Sequence, residues 1–298
     1  MKALLLLHKL GLTNLSDEQV DKYYQIQSQV LPALEASADS LPEITDVSLK
    51  KALKNEQLSL RYFPRAFANG DLACHQVCVV WCVDNQHADY EIVFRQFDYD
   101  EALNFWILEQ AITEYRHKFS AQESTLRPYL SIQIGSSCLY SQQFLARFDA
   151  LIHQYDIGAD DRLELLVSEN ALTATPELTE SIFAGLRKRG VSVVISNFGA
   201  GYSGVAYLKR LPIDAILIDR AFIAEIDNPQ SEAIVDAVIS MSHHLGLKVI
   251  ADGVDTEAQW HSLANKDCDM LQGRFITESF SARESANQLA EASANIKA

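Results

Sequence analysis

Basic residues are scarce in this chain. Lys and Arg number 25 against 40 Asp and Glu, a formal charge of −15 over 298 residues, and the pI is near 4.9. Phosphate binding wants clustered Lys and Arg, so the balance argues against a nucleic-acid partner and against an anionic membrane surface. Long apolar runs are missing too, and no stretch approaches the length of a membrane span. The N-terminal apolar run Ala3–Leu7 is five residues long before His8 and Lys9 interrupt it, too short for the core of a signal peptide. Cysteines are few and odd in number, five in all, which fits reduced thiols and a cytoplasmic location. What is present is ordinary globular material, 48% hydrophobic and 22% charged, long enough to bury one barrel-sized core or two smaller ones.

Residues 1–47 read as an N-terminal helical extension. Ser16 followed by Gln19 makes a capping box. Val20, Tyr23, Tyr24, Gln27, Val30, Leu31 and Leu34 then recur at helical spacing until Leu41-Pro42 breaks the pattern. Such a helix packs on the main domain or pairs with another chain.

Residues 48–298 read as the main domain. Short β-like runs are predicted over Leu58–Phe63, Ala73–Val83, Tyr129–Ile134, Leu163–Ser168, Val191–Ser196, Ala215–Asp219, Lys248–Ala251 and Cys268–Leu271. Helices are predicted near 100–118, 140–155, 177–189, 203–210, 229–245, 256–265 and 282–296. Repeated β-α units imply a parallel sheet covered by helices, and about eight strands over this length suit a (β/α)8 barrel. The C-terminal strand ends, where such barrels carry their sites, offer Ser168-Glu169, Ser196-Asn197, Asp219, Asp252 and Gln272. Polar residues closing apolar strands in register point to a face built to be wet.

The stretch Ser196-Asn197-Phe198-Gly199-Ala200-Gly201-Tyr202-Ser203-Gly204 through Leu208-Lys209-Arg210-Leu211-Pro212-Ile213-Asp214 resembles DDFGTGYSSLSYLKRLPID of the EAL-type cyclic-di-GMP phosphodiesterases. Other stretches follow in the same order. Arg162–Asn170 resembles RLELEITES, Ala215–Arg220 the stretch containing LKIDR, Ala251–Gln259 AEGVETEEQ, and Cys268–Gly273 CDxxQG. The likeness covers residues 49 to about 285 and implies an EAL-like barrel.

In that family two Mg²⁺ or Mn²⁺ ions held by hard oxygen ligands hydrolyse a phosphodiester. Carried over by the resemblance, the signature Glu falls on Gln76 and the ligand Asn of the next motif on Gln133. The metal-binding Glu of EITES falls on Leu166, the Asp pair on Ser196 and Asn197, and the Lys of LKID on Leu217. The general base of EGVE falls on Asp252, and of these seven positions Asp252 alone is ionisable. The family's nucleobase-contacting Gln falls on Phe63 and its phosphate-contacting Arg on Val80. Glu169, Asp219 and Gln272 stand where the family keeps loop-shaping residues, and Gly199, Gly201, Gly253 and Gly273 where it keeps turn glycines.

These substitutions lead to the expectation of a catalytically inactive EAL-like regulatory protein, without metal or other cofactor. It would act through a protein partner and neither hydrolyse nor tightly bind cyclic-di-GMP. The alternatives are a non-catalytic cyclic-di-GMP receptor, a phosphodiesterase with an altered metal or substrate requirement, and a dimerisation unit pairing near residues 200–210. The negative charge suits a basic regulatory partner. Cys74, Cys78 and Cys82 share a side of one strand and read as small buried hydrophobes, because metal ligation needs turns that converge the sulfurs. His243-His244 reads as one packed and one solvated helix residue.

Overall fold

The computed structural model describes residues 46–54, 57–83, 86–88, 101–119, 129–158, 161–173, 176–199 and 208–280. The helical extension and the expected helices at 203–210 and 282–296 lie wholly or largely outside the described residues.

A tight turn sets the direction of the first strand. Strand β1 (Leu58–Phe67) leads through Asn69 and Gly70 into β2 (Leu72–Val83). Asn69 Oδ1 accepts the Asp71 N–H at 3.0 Å, and Gly70 supplies the left-handed backbone, φ 88°. A connection this short joins only antiparallel neighbours, so β1 runs against β2. This departs from the parallel arrangement expected for every strand.

The remaining strands are β3 (Gln86–Ala88), β4 (Tyr129–Ile134), β5 (Leu163–Ser168), β6 (Ser192–Phe198), β7 (Ala215–Ile218), β8 (Lys248–Ala251) and β9 (Met270–Gln272). From β2 through β4 to β9 the pairings are parallel. Strand β9 then meets β1 antiparallel and closes an eight-strand ring, with β3 an appendage on β2. The expected barrel is therefore present, with one reversed stave.

The helices are α1 (Asp46–Lys54), α2 (Glu101–Phe119), α3 (Ser136–Leu139), α4 (Phe144–Gln154), α5 (Pro176–Lys188), α6 (Arg220–Ala224), α7 (Pro229–His244) and α8 (Glu257–Asn265). Alternate side chains on each strand divide the core. Outward-facing Ile132, Leu165, Val193 and Ile195 pack with Leu108, Ile112, Phe148 and Phe183 of the covering helices. Ile218, Val249 and Leu271 do the same with Ile223, Val235, Ile239 and Leu263. Inward-facing Cys74, Leu166, Val194, Ala215, Leu217, Ile250 and Met270 form a separate cluster that fills the lumen.

Candidate functional site

The lumen holds a pair of charged groups, Arg65 and Glu164, that the apolar cluster does not explain. Arg65, on β1, is fully buried at 0% exposure. Its Nη1 donates to Glu164 Oε1 on β5 at 2.8 Å, and its Nε donates to Gln272 Oε1 on β9 at 2.9 Å. Nη2 reaches Ser131 Oγ on β4 at 3.4 Å, and that hydroxyl donates to Glu164 Oε1 at 2.6 Å. Strands β4 and β5 are not neighbours of β1 in the ring, so these bonds cross the barrel interior.

Burial works against a charged guanidinium, but the Glu164 carboxylate, with Asp252 farther off, more than offsets it and holds Arg65 protonated. Above this network Gln272 Nε2 donates to Asp252 Oδ1 at 2.9 Å. Asp252 follows β8 directly and stands at the barrel mouth. A continuous polar chain thus runs from Glu164 in the lumen to a carboxylate at the rim.

The other site positions divide into groups. Gln133 Nε2 donates to Ser196 Oγ at 3.3 Å, bridging β4 and β6 across the end of β5. Ser196 is buried and Asn197 is exposed, and Asn197 takes a left-handed φ of 56° where the β6–β7 register shifts between Ile195 and Phe198. The carried-over Asp pair is thus a hydroxyl and an amide, neither of them charged. Gln76 lies half-buried on β2, opposite the exposed Phe63 of β1 and beside Ser131 of β4. Val80 is buried farther along β2.

Leu166 and Leu217 belong to the apolar lumen cluster. Glu169, buried at the end of β5, accepts the Gly199 N–H at 2.9 Å. Asp219 caps α6 by accepting the Ala221 N–H at 2.9 Å.

Sequence reasoning missed Arg65, Ser131 and Glu164 as a unit. The available signal was a pair of opposite charges, each at an inward position of an apolar strand.

The donor set at the carried-over positions does not fit a pair of hard dications. Two of those positions are leucines packed on apolar neighbours, and four carry neutral amide or hydroxyl groups. Among the described residues no grouping of three or more His, Cys, Asp or Glu could hold a metal ion. Cys74 is buried in the lumen, and desolvation pushes its thiol up to about 12 against the lowering pull of Arg65. Cys78 is likewise buried, while the Cys82 side chain lies outside the described residues. His243 Nε2 meets Asp269 Oδ2 at 2.8 Å and His244 Nδ1 meets the Ser240 carbonyl at 2.6 Å, so both are held by local partners.

Residues 46–279 match the EAL domain. The chain belongs to the EAL domain family. It is 34% identical over 231 residues to the cyclic di-GMP phosphodiesterase NbdA of Pseudomonas aeruginosa, covering 76% of this chain and 29% of that protein. It is 25% identical over 233 residues to the cyclic di-GMP phosphodiesterase PdeR of Escherichia coli, covering 76% and 35%. Its fold matches the PaMucR phosphodiesterase in complex with c-di-GMP at a TM-score of 0.70 and 26% identity, covering 77% of this chain and 94% of that one. The chain therefore spans about a third of the length of the curated relatives it matches.

These relatives correct two expectations. The sequence reading, which held the EAL barrel to be catalytically inactive and not an enzyme, is overturned by relatives named as phosphodiesterases across most of its length. Its physical error was to count ligand positions one by one. The Asp252 carboxylate and the hydrogen-bonding rim around it were weighed only as remnants. Among the described residues no helix is long and apolar enough to cross a membrane.

Proposed function

We propose that this EAL domain acts on cyclic-di-GMP as a phosphodiesterase, with the reaction at the C-terminal strand ends and Asp252 as the group that takes the proton from the attacking water. The relatives' activity supports the reaction class. The single observation that carries the assignment of Asp252 is its bond to Gln272 at 2.9 Å, which fixes a carboxylate oxygen at the mouth. Glu169 and Asp219 direct carboxylate oxygens to backbone N–H groups, which favours Asp252 for this role. Ser196, Gln133 and Gln76 supply neutral hydrogen-bonding groups around it. No step is assigned to a metal, because the described donors do not fit a pair of them.

Incubation with cyclic-di-GMP in Mg²⁺, in Mn²⁺ and in chelator, followed by chromatography for the linear dinucleotide, tests the proposal. Turnover abolished by Asp252→Ala is expected. No turnover by the folded wild type under any of the three conditions would refute it.

The finer expectations stand beside this as part of the same proposal. They are a cytoplasmic location, residues 1–47 as a helical extension of a domain spanning 48–298, a basic regulatory partner and a homodimer pairing near 200–210. Light scattering tests the dimer, and affinity capture followed by titration of the purified partner tests the interaction.

A further inference from the structure

We propose that Arg65 is a positioning residue for Asp252, acting through the side-chain amide of Gln272. This rests on the reading of Asp252 as the proton acceptor at the mouth.

A glutamine amide fills nearly the same space in two orientations, one the reverse of the other. At Gln272 the surroundings select one. Arg65 Nε carries a hydrogen and no lone pair, so an oxygen must meet it, and Oε1 does at 2.9 Å. The opposite edge of the amide then presents Nε2–H to Asp252 Oδ1, also at 2.9 Å. Turned over, the amide would set N–H against N–H at Arg65 and oxygen against carboxylate at Asp252. Both contacts would repel.

Arg65 is itself immobilised. Glu164 and Ser131 hold its two terminal nitrogens, and the whole side chain is sealed in the lumen. It cannot touch a ligand, so apart from the charge that Asp252 feels at a distance its hydrogen-bonded route to the mouth runs through Gln272. The carboxylate of Asp252 is held by an assembly rooted on β5, β1 and β9. Arg65 falls on none of the site positions carried over from the family motifs. Removing the Nε–H donor leaves the amide free to turn, and a turned amide repels the carboxylate it now holds.

The side-chain amide resonance of Gln272 in ¹⁵N–¹H NMR of the full chain, assigned by its loss in Gln272→Leu, reports the lock directly. Arg65→Met combined with Glu164→Gln removes the guanidinium without leaving a buried unpaired charge. Solvent exchange of the Gln272 amide protons is expected to rise about tenfold or more in that variant. With cyclic-di-GMP, kcat is expected to fall about tenfold while KM stays within about twofold, the pattern of a lost transition-state interaction. Arg65→Leu combined with Glu164→Leu removes the same donor with an apolar pair and is expected to release the amide in the same way, which covers a first double variant that does not fold. Amide exchange unmoved in a folded Arg65 variant would overturn the proposal. A released amide in a protein whose wild type does not hydrolyse cyclic-di-GMP would sustain the positioning role and count against the phosphodiesterase reading alone.

Discussion

Arg65 Nη1 and Glu164 Oε1 meet at 2.8 Å inside the barrel lumen, between strands whose residues lie 99 positions apart in the chain. Two desolvated charges of opposite sign that satisfy each other through good hydrogen bonds are a near-balanced arrangement. Removing one alone is not. Arg65→Met is expected to destabilise the domain by about 3–5 kcal/mol, because Glu164 is left charged and buried. Adding Glu164→Gln to Arg65→Met is expected to recover at least about half of that loss. Urea midpoints at unchanged slope measure both effects. A double variant no more stable than the single would show that the charge on Glu164 is not what the guanidinium neutralises.

Leu166 tests the lumen from the apolar side. Its side chain packs with Val194, Leu217 and Ile250, so Leu166→Ala is expected to cost about 2–5 kcal/mol. Leu166→Glu carries a pH signature as well. Burial raises a carboxyl pKa above its unfolded value of about 4.3, so the folded state binds the proton more tightly than the unfolded chain. Stability of this variant is therefore expected to be highest below about pH 4 and to fall as pH rises beyond it. Denaturant midpoints of the variant relative to wild type, taken from pH 4 to pH 8, read the slope. A flat difference would show that the lumen admits enough water or counter-charge to ionise a carboxylate at that point.

Much of the barrel was legible because burial imposes a period. Val193-Val194-Ile195-Ser196 declares a strand by its β-branched run, and its alternation sends Val194 and Ser196 inward and Val193 and Ile195 outward. The helices at 101–119, 229–244 and 257–265 were readable from their spacing, and the structure adds the Thr256–Gln259 capping box of α8. The reversed direction of β1 was overlooked, although the Asn69-Gly70 turn that forces it stands in the sequence. The two charges Arg65 and Glu164 were visible but their pairing was not legible, because only closure of the ring brings those strands face to face. Asn197 was read as one half of a motif with Ser196. Its left-handed φ and the register shift around it were not legible, because they arise where β6 runs into the following loop.

The lumen cysteine and its buried relatives should be chemically silent. Desolvation places the thiols of Cys74, Cys138 and Cys268 at about 12. At pH 8 a thiol with that pKa is ionised in only about one molecule in ten thousand, and the thiolate is the reactive form. Thiol counting with a chromogenic disulfide is expected to leave these three unmodified in the native protein and to modify all five cysteines in guanidinium. Peptide mapping identifies which residues react. Rapid native modification of Cys74 would contradict both its burial and the packed lumen.

Gly273 follows Gln272 and carries the backbone back across the end of β8. Its φ is 151°, and a Cβ at this position would fall on the backbone N and O of Val254. That approach is what lets the Val254 N–H donate to the Gln272 carbonyl at 3.0 Å and the Phe275 N–H donate to the Val254 carbonyl at 3.1 Å. The same approach sets Gln272 beside Asp252. Gly246, after α7, has a left-handed φ of 76° but nothing within 4 Å of an added Cβ. The two glycines therefore separate a steric cost from a purely conformational one. Gly246→Ala is expected to cost about 1 kcal/mol, the strain of a left-handed alanine. Gly273→Ala must also push backbone from backbone, and is expected to cost at least about 2 kcal/mol more. In a domain of this size that difference is a further fall in Tm of about 4–8 °C. Calorimetry of the two variants side by side makes the comparison. Equal losses would mean that Val254 yields freely, and that the closure of β8 on β9 is not what holds Gln272 in place.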